Sequence, residues 1–432
     1  MTRAIVNLWG RQIGAVLWDD SRQLGVFEYT PEFIASNYEV APLTMPLRSG
    51  VYDFPGLASE TFKGLPGMLA DSLPDKFGNA VINSWLAEQG RTPESFDPVE
   101  RLCYTGRRGM GALEFEPSAG QHRDKGGKID IAPLVDLANR VIAAREQLNG
   151  VLDGQDDQMA LEEILRVGTS AGGARAKAVL AWNEATGEFH SGQLDAGAGY
   201  TYWLMKFDGV SGNADKEVAD PLGFGRLEYA CYLLAKAAGV DMARSRLHEE
   251  SGRAHFMTQR FDRTADGKKL HMQSLCAMRH FDFNLARAYS YEQAVETIRM
   301  LGLGRDAIRQ QVRRAFLNIF IRNQDDHTKN IAFLMDPDGR WSLSPAFDVV
   351  YAYNPDGAWT SQHQMSLGGK TDGFELDDLL TFGKFADLKT VETKAILADI
   401  REAVEHWEQL CGNAGVSAEM ASRARSGFRL IS

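Results

Sequence analysis

The sequence predicts an α+β protein of two lobes: a β-rich N-terminal lobe with an extra N-terminal subdomain, and a mostly helical C-terminal lobe. Three patterns predict it. Short apolar runs divided by turn residues dominate the first half of the chain. Helical spacing of apolar residues takes over from about 291 to 322 and again from about 385 to 428. Between those stretches, Ile331–Met335 and Trp341–Leu343 flank Asp336-Pro337-Asp338-Gly339, a β-hairpin signal set among helices.

The elements follow in order. Ala4–Trp9, Ile13–Trp18 and Gly25–Tyr29 are apolar runs parted by turns, so a small sheet opens the chain. Pro, Gly and Ser punctuate residues 42–74, and Leu73-Pro74-Asp75-Lys76-Phe77-Gly78 leads into a helical pattern from Asn79 to Glu88. Residues 118–130 are polar and Gly-rich, which marks a loop or linker. Helices are expected at 132–148 and 158–165. A glycine-rich stretch, Val167-Gly168-Thr169-Ser170-Ala171-Gly172-Gly173-Ala174-Arg175-Ala176-Lys177, precedes a strand from Ala178 to Trp182. A further strand over Tyr200–Phe207 carries Lys206. Arg226–Ala238 repeats apolar residues on one helical face, with Gly239 as its stop. Two strands then bracket Glu250-Ser251-Gly252-Arg253, and the second runs on toward Arg260-Phe261-Asp262-Arg263. The expected segments are an N-terminal subdomain over 1–120, the rest of the β-rich lobe over 121–262, and the helical lobe over 263–432.

Composition bounds the chemistry. The 432 residues exceed one small core, and 47 basic against 58 acidic residues give a net charge of −11. Bulk charge therefore does not draw this chain to nucleic acid; DNA contact would need a local patch or a basic partner. Cys103, Cys231, Cys276 and Cys411 are scattered without metal-ligand spacing, so free thiols in a reducing compartment are expected. The N-terminus reads as a strand rather than a signal peptide, and no apolar run spans a bilayer. The expected location is the cytoplasm.

The most informative stretch is Asn323-Gln324-Asp325-Asp326-His327-Thr328-Lys329-Asn330, with Ala346-Phe347-Asp348 beyond the hairpin. A hairpin folds its outer ends together, which draws Asn330, Asp348 and the nearby Asp325 to one place. Phosphoryl transfer from a metal–nucleotide needs one carboxylate for the incoming hydroxyl and oxygen ligands for magnesium. The Asp325-to-Asn330 spacing matches the catalytic loop of protein kinases. Asp325 is therefore the expected catalytic residue, Asp326 its neighbouring competitor, and Asn330 and Asp348 the expected metal ligands. His327 is expected to stabilise the loop by a hydrogen bond. A polar turn capping a strand and a helix is the plainer reading of any one of these residues.

Three further segments fit the same chemistry. The glycine stretch lacks the Gly-Lys-Ser/Thr of a Walker A motif, but its small residues let backbone N–H groups approach phosphate. Ser170 and Thr169 are hydroxyls within it. Lys206 ends an apolar strand, where a lysine needs a partner; Glu228 on the following helix is the expected counter-charge. Gln259 and Phe261 sit where the lobes join, in reach of an adenine ring. Arg107-Arg108 are expected in a solvated turn. The order of strands, glycine loop, lysine strand, helix and an Asp/Asn/Asp set is that of a two-lobed kinase.

These residues resemble the HipA family of serine/threonine kinases, the toxin halves of bacterial toxin–antitoxin modules. The resemblance covers nearly the whole chain. Leu73-Pro74-Asp75 with Phe77-Gly78 is similar to the family's N-terminal signature, Ser170–Lys177 to its phosphate loop, and Arg260–Arg263 to its hinge. Asn323–Asn330 and Pro345–Asp348 match its catalytic and metal segments and are the most specific. The resemblance implies a protein-kinase-like fold, bound ATP and Mg2+, and a nucleotide site drawn from Ser170, Ala171, Gly172, Gly173, Lys206, Gln259, Phe261, His327, Lys329, Asn330 and Asp348. It implies Asp325 as the catalytic residue, Asn330 and Asp348 on the metal, and autophosphorylation at Ser170 that switches the enzyme off. It also implies a helix-turn-helix antitoxin resembling HipB, operator DNA reached through that antitoxin, and an aminoacyl-tRNA synthetase as protein substrate. The chain departs from the family in two places: His271–Cys276 lacks the acids of Gln-Glu-Asp, and Gln259 stands where Glu is frequent. A small-molecule kinase and a non-catalytic, nucleotide-binding co-repressor are the alternative readings.

Overall fold

The computed structural model describes residues 2–88, 90–117, 129, 131–143, 175–193, 195–210 and 222–431. Five strands open the chain: β1 (Arg3–Leu8), β2 (Arg11–Asp19), β3 (Leu24–Tyr29), β4 (Val51–Tyr52) and β5 (Leu113–Glu116). They form an antiparallel sheet in the order β4-β3-β2-β1-β5. Burial alternates along β1, with Ala4, Val6 and Leu8 facing a core completed by Phe27, Phe62 and Leu102.

A second five-stranded sheet contains β6 (Lys177–Trp182), β7 (Phe189–Ser191), β8 (Thr201–Lys206), β9 (Ser245–Glu250) and β10 (Arg253–Gln259), ordered β7-β6-β8-β10-β9. All six residues of β6 are buried, because both of its faces are covered. Ala178, Leu180, Trp203, Met205 and Met257 face a core shared with the helices Lys76–Glu88 and Ile131–Ala143. On β6 and β8, Lys177 and Lys206 are direct cross-strand partners, and Lys206 also pairs with Phe256 of β10. Direct partners point to the same face, so both lysines leave the sheet on the same side.

The helical lobe is built from Tyr291–Met300, Arg305–Ile321, Leu376–Phe385, Thr390–Glu405, Trp407–Ala414 and Ala418–Gly427. Helix Phe224–Ala237 comes between β8 and β9 in the chain, yet Cys231 and Leu234 belong to the helical-lobe core with Phe316 and Trp407. The lobe also holds short strands: β11 (His271–Ser274), β12 (Tyr289–Ser290), β13 (Ala332–Met335), β14 (Trp341–Leu343) and β15 (Met365–Ser366). β13 pairs with β11 and β14, and β12 pairs with β15. No described helix is long and apolar enough to cross a membrane.

Several expectations shift. The helical stretch from 291 to 322 is two helices, parted by Gly302 in the left-handed region (φ +66°). Helices resume at Leu376 rather than 385. The helix expected at 132–148 is described over Ile131–Ala143, and the one at 158–165 lies outside the described residues. Arg107 is exposed as expected, but Arg108 is buried, stacked 4.9 Å from the Tyr104 ring, and donates to the Tyr104 carbonyl. A guanidinium over an aromatic face with carbonyl acceptors tolerates that burial.

Candidate active site

Helix Arg305–Ile321 ends at Arg322 in the left-handed region (φ +50°), and the chain turns directly into Asn323. Asn323 is buried, and its Nδ2 donates to Asn318 Oδ1 (3.0 Å) and to the Asp348 carbonyl (3.1 Å). Gln324 N donates to the Ala352 carbonyl, and Ala352 N to the Arg322 carbonyl, both at 3.1 Å. The loop is thereby laced to the segment that follows Asp348. Asp325 is partly exposed and accepts from Trp359 Nε1 at 2.7 Å. Asn330 Nδ2 donates to the Asp325 carbonyl at 2.8 Å, which leaves its amide oxygen for a cation.

Asp326 does not compete for the base role. It is 3% exposed and accepts from Tyr291 Oη (2.5 Å), Gln364 N (2.7 Å) and His363 Nδ1 (2.7 Å). Three donors and burial commit it to holding the loop. His327 Nε2 lies 3.7 Å from Asp325 Oδ1, beyond hydrogen-bond range, and its ring packs between Phe283 and Trp359. It fixes the loop by tilted ring contacts rather than by the expected hydrogen bond. Lys329 Nζ sits 4.9 Å from the Phe283 ring centre.

The hairpin accounts for only part of the convergence. Its ladder joins 332–335 to 341–343 and ends where Ser344 N meets the Ala332 carbonyl at 2.9 Å. Other elements carry the chain onward: Ala346 N donates to the Asp241 carbonyl at 2.8 Å, and Asp348 adopts a left-handed φ of +53°. A carboxylate residue held in that sparsely populated region is over-determined by its surroundings. Asn323, His327 and Asn330 of the loop and Ala346, Phe347 and Val349 around Asp348 line one small cavity of about 20 Å3.

Lys206 is the hub between sheet and loop. Its Nζ lies 2.5 Å from Glu228 Oε1 and is hydrogen-bonded to Asp348 Oδ1. Burial pushes the lysine toward its neutral form, but Asp348 and Glu228 overcome this and raise its pKa. Burial pushes Asp348 up, and the Lys206 ammonium overcomes it, with Lys177 and His327 contributing, to hold that carboxyl at about 2. Glu228 Oε2 takes a second cation, Arg175 Nη1, at 2.6 Å. Lys177 Nζ pairs with Asp75 Oδ2 at 3.0 Å, both side chains buried. Like charges on cross-strand partners destabilise a sheet, and these three carboxylates offset the two lysines and the arginine. The oxygen set of Asn330 and Asp348, beside a lysine at the end of a strand, fits a magnesium–nucleotide.

At the join between the lobes, Gln259 ends β10, and the Phe261 ring lies 5.3 Å from that of Phe347. Asp262, fully buried, accepts from Arg260 (2.9 and 2.7 Å), Arg263 (2.8 Å) and Gly111 N (2.7 Å). Burial alone would raise its pKa, but Arg260 and Arg263 drive it well below the carboxylate range.

The structure thus brings together Lys206, Asp325, Asn330, Asp348 and His327, with Phe261 beside Phe347. Ser170, Ala171, Gly172 and Gly173 lie outside the described residues. The sequence reading named Glu228 but missed the Asp75–Lys177 and Arg175–Glu228 pairs, although both cations stand in its glycine stretch. It also missed Trp359, His363 and Arg429, which no local pattern marks.

Comparison with known proteins is decisive at the family level. Residues 169–409 match the HipA-like C-terminal domain, and residues 4–116 match the HipA N-terminal domain. The chain belongs to the HipA family. A HipA of Shewanella oneidensis MR-1, solved with HipB and its operator DNA, is similar in fold: TM-score 0.67 at 17% identity, covering 98% of this chain and 95% of that one. The Helicobacter pylori proinflammatory kinase CtkA aligns over 52% of this chain and 91% of its own, at 11% identity and a TM-score of only 0.31. No match was found among curated proteins. The fold is the two-lobed α+β arrangement of HipA.

Proposed function

We propose that this member of the HipA family is an ATP- and magnesium-dependent serine/threonine protein kinase of the toxin type. The observation that carries the reading is Lys206, shared between Glu228 on the helix that follows its strand and Asp348 in the metal segment. That ion pair and the Asp325/Asn330 loop are the parts phosphoryl transfer requires. Bound magnesium–ATP supplies an electrophilic γ-phosphoryl group and cationic compensation for its charge. The chain does the positioning. Lys206 would hold phosphate oxygens, Asn330 and Asp348 would hold the metal, and Phe261 would pack against the adenine. Asp325, oriented by Trp359 and by the Asn330 clamp on its own carbonyl, orients the substrate hydroxyl and takes its proton.

Family membership and the Shewanella complex support a helix-turn-helix antitoxin partner and, through it, operator DNA. The substrate we propose is a translation protein such as an aminoacyl-tRNA synthetase. Autophosphorylation at Ser170 would place a dianion in the glycine stretch and oppose nucleotide phosphates, turning the kinase off. Incubation with radiolabelled ATP and magnesium is expected to label Ser170. Asp325→Asn should cut labelling at least about 100-fold. A folded wild-type protein that never takes label overturns the reading.

A further inference from the structure

We infer that Arg429 is a positioning residue for the catalytic loop, acting on the two residues that flank Asp325; the inference rests on the kinase reading above. Arg429 lies beyond the last helix, about a hundred positions from the loop, yet its side chain is only 9% exposed. Its backbone N donates to the Phe320 carbonyl (2.8 Å) and its Nη1 to the Ile319 carbonyl (2.9 Å), which lock it against the end of the helix that launches the loop. The same Nη1 lies 3.0 Å from His363 Nε2, and Nη2 lies 2.5 Å from Asp372 Oδ1.

The chemistry of these contacts is directional. A guanidinium donates and never accepts, so His363 Nε2 must present its lone pair to Arg429. The ring proton then sits on Nδ1, which donates to Asp326 Oδ2 at 2.7 Å. His363 is fully buried, with Asp326 and Arg429 at its two nitrogens and the Phe374 ring at its edge. Arg429 therefore fixes the tautomer that holds Asp326. On the other side of Asp325, Gln324 satisfies both ends of its amide when its nitrogen donates to the Thr360 carbonyl (2.8 Å) and its oxygen accepts from Arg429 Nη2 (2.9 Å). One guanidinium thus fixes the residue before Asp325 directly and the residue after it through an imidazole. Trp359, which orients the Asp325 carboxylate, adjoins Thr360 in the same segment.

Two measurements test this. In wild-type protein labelled with 15N-histidine, the His363 resonances should show a protonated Nδ1 and an unprotonated Nε2; a protonated Nε2 overturns the inference. In the autophosphorylation assay, Arg429→Met should lower the limiting rate of label incorporation (the single-turnover counterpart of kcat) by about 10- to 100-fold while the half-saturating ATP concentration (the counterpart of KM) stays within about twofold, because the loss is one of alignment rather than nucleotide contact. The Nδ1 tautomer signature should disappear with it. Unchanged kcat in folded Arg429→Met overturns the inference. Should that variant fail to fold by circular dichroism, His363→Phe keeps the ring volume and severs one arm; it should show the same split between kcat and KM, and wild-type kcat there is equally fatal. Absence of labelling in the wild type as well would fall on the kinase reading, and the tautomer measurement would still decide the geometry.

Discussion

At the residue scale, six charges meet where the lysine strand faces the loop. Arg175, Lys177 and Lys206 are offset by Asp75, Glu228 and Asp348, with no carboxylate farther than 3.0 Å from its partner. Three of these pairs are dry, with side chains exposed by 9% or less, whereas the Asp348 side chain is 32% exposed. Removing one member of a buried pair strands a charge and destabilises a fold by about 3–5 kcal/mol. Asp348 differs: its departure leaves Lys206 with Glu228 at 2.5 Å. On the proposed reading it is the member that would exchange its partner for a metal, at the least cost to the scaffold. Asp348→Ala is accordingly expected to fold with a near wild-type urea midpoint and to lose about 100- to 1,000-fold in phosphotransfer. Full activity, or collapse of the fold, would reject that division of labour.

At the element scale, helix Phe224–Ala237 carries Glu228 to Lys206, and its start is set by the backbone. Gly223 stands at φ +95°, and Asp208 accepts from Gly223 N (3.0 and 3.1 Å), Gly225 N (3.4 Å) and Ala254 N (3.2 Å). A Cβ on Gly225 would sit 2.1 Å from the Ala254 carbonyl oxygen, and neither backbone can yield without separating helix from β10. Gly225→Ala should lower the urea midpoint, speed hydrogen exchange in the helix, and reduce labelling by loosening the Glu228–Lys206 pair; unchanged exchange would show that the contact relaxes elsewhere. The helix itself was legible from the spacing of Leu227, Cys231 and Leu234, and Lys206 from the cost of a lysine in an apolar strand. The Asp325–Asn330 contact was legible because its spacing is local, whereas the hairpin that was to bring Asp348 in carries only part of the approach. The Asp262 cluster, the Trp359 contact and the Arg429 hub were not. The Trp359 contact, the Arg429 hub and the Gly111 bond to Asp262 join residues far apart in sequence, and tertiary proximity leaves no periodic trace. The burial of Asp326, set beside Asp325 as its competitor, was hidden for the same reason: its three donors come from positions 291, 363 and 364.

At the scale of the whole molecule, the N-terminal subdomain is bolted to the rest of the chain by polar contacts that include neutral histidines. Gly67 N donates to His280 Nε2 at 3.1 Å, and Ser274 is tied to Asp71 at 2.6 and 2.9 Å. His271, fully buried, meets the Val40 carbonyl at 3.1 Å, and His255, equally buried, accepts from Asp208 N through Nδ1 at 2.9 Å. Burial lowers the pKa of all three imidazoles from 6.5 to about 4. They are neutral in the folded chain, while in the unfolded chain they take protons near pH 6.5. The unfolded state therefore binds more protons between these values, and stability must fall as pH drops from about 6.5 toward 4. Above pH 7 the contribution is complete and flat. Each histidine adds a limiting slope of about 1.4 kcal/mol per pH unit. Urea midpoints should hold steady from pH 8 to 7 and decline from pH 6.5 to 5, before most carboxylates titrate. His280→Asn should flatten that decline by about one proton's worth. Hydrogen exchange in β1–β5 should accelerate over the same window, because His280 and His271 both lie where the subdomain meets the lobe. A midpoint that stays constant from pH 7 to 5 would mean that these imidazoles remain neutral in the unfolded chain or are charged in the folded one, and the acid sensitivity assigned to this interface would fall with it.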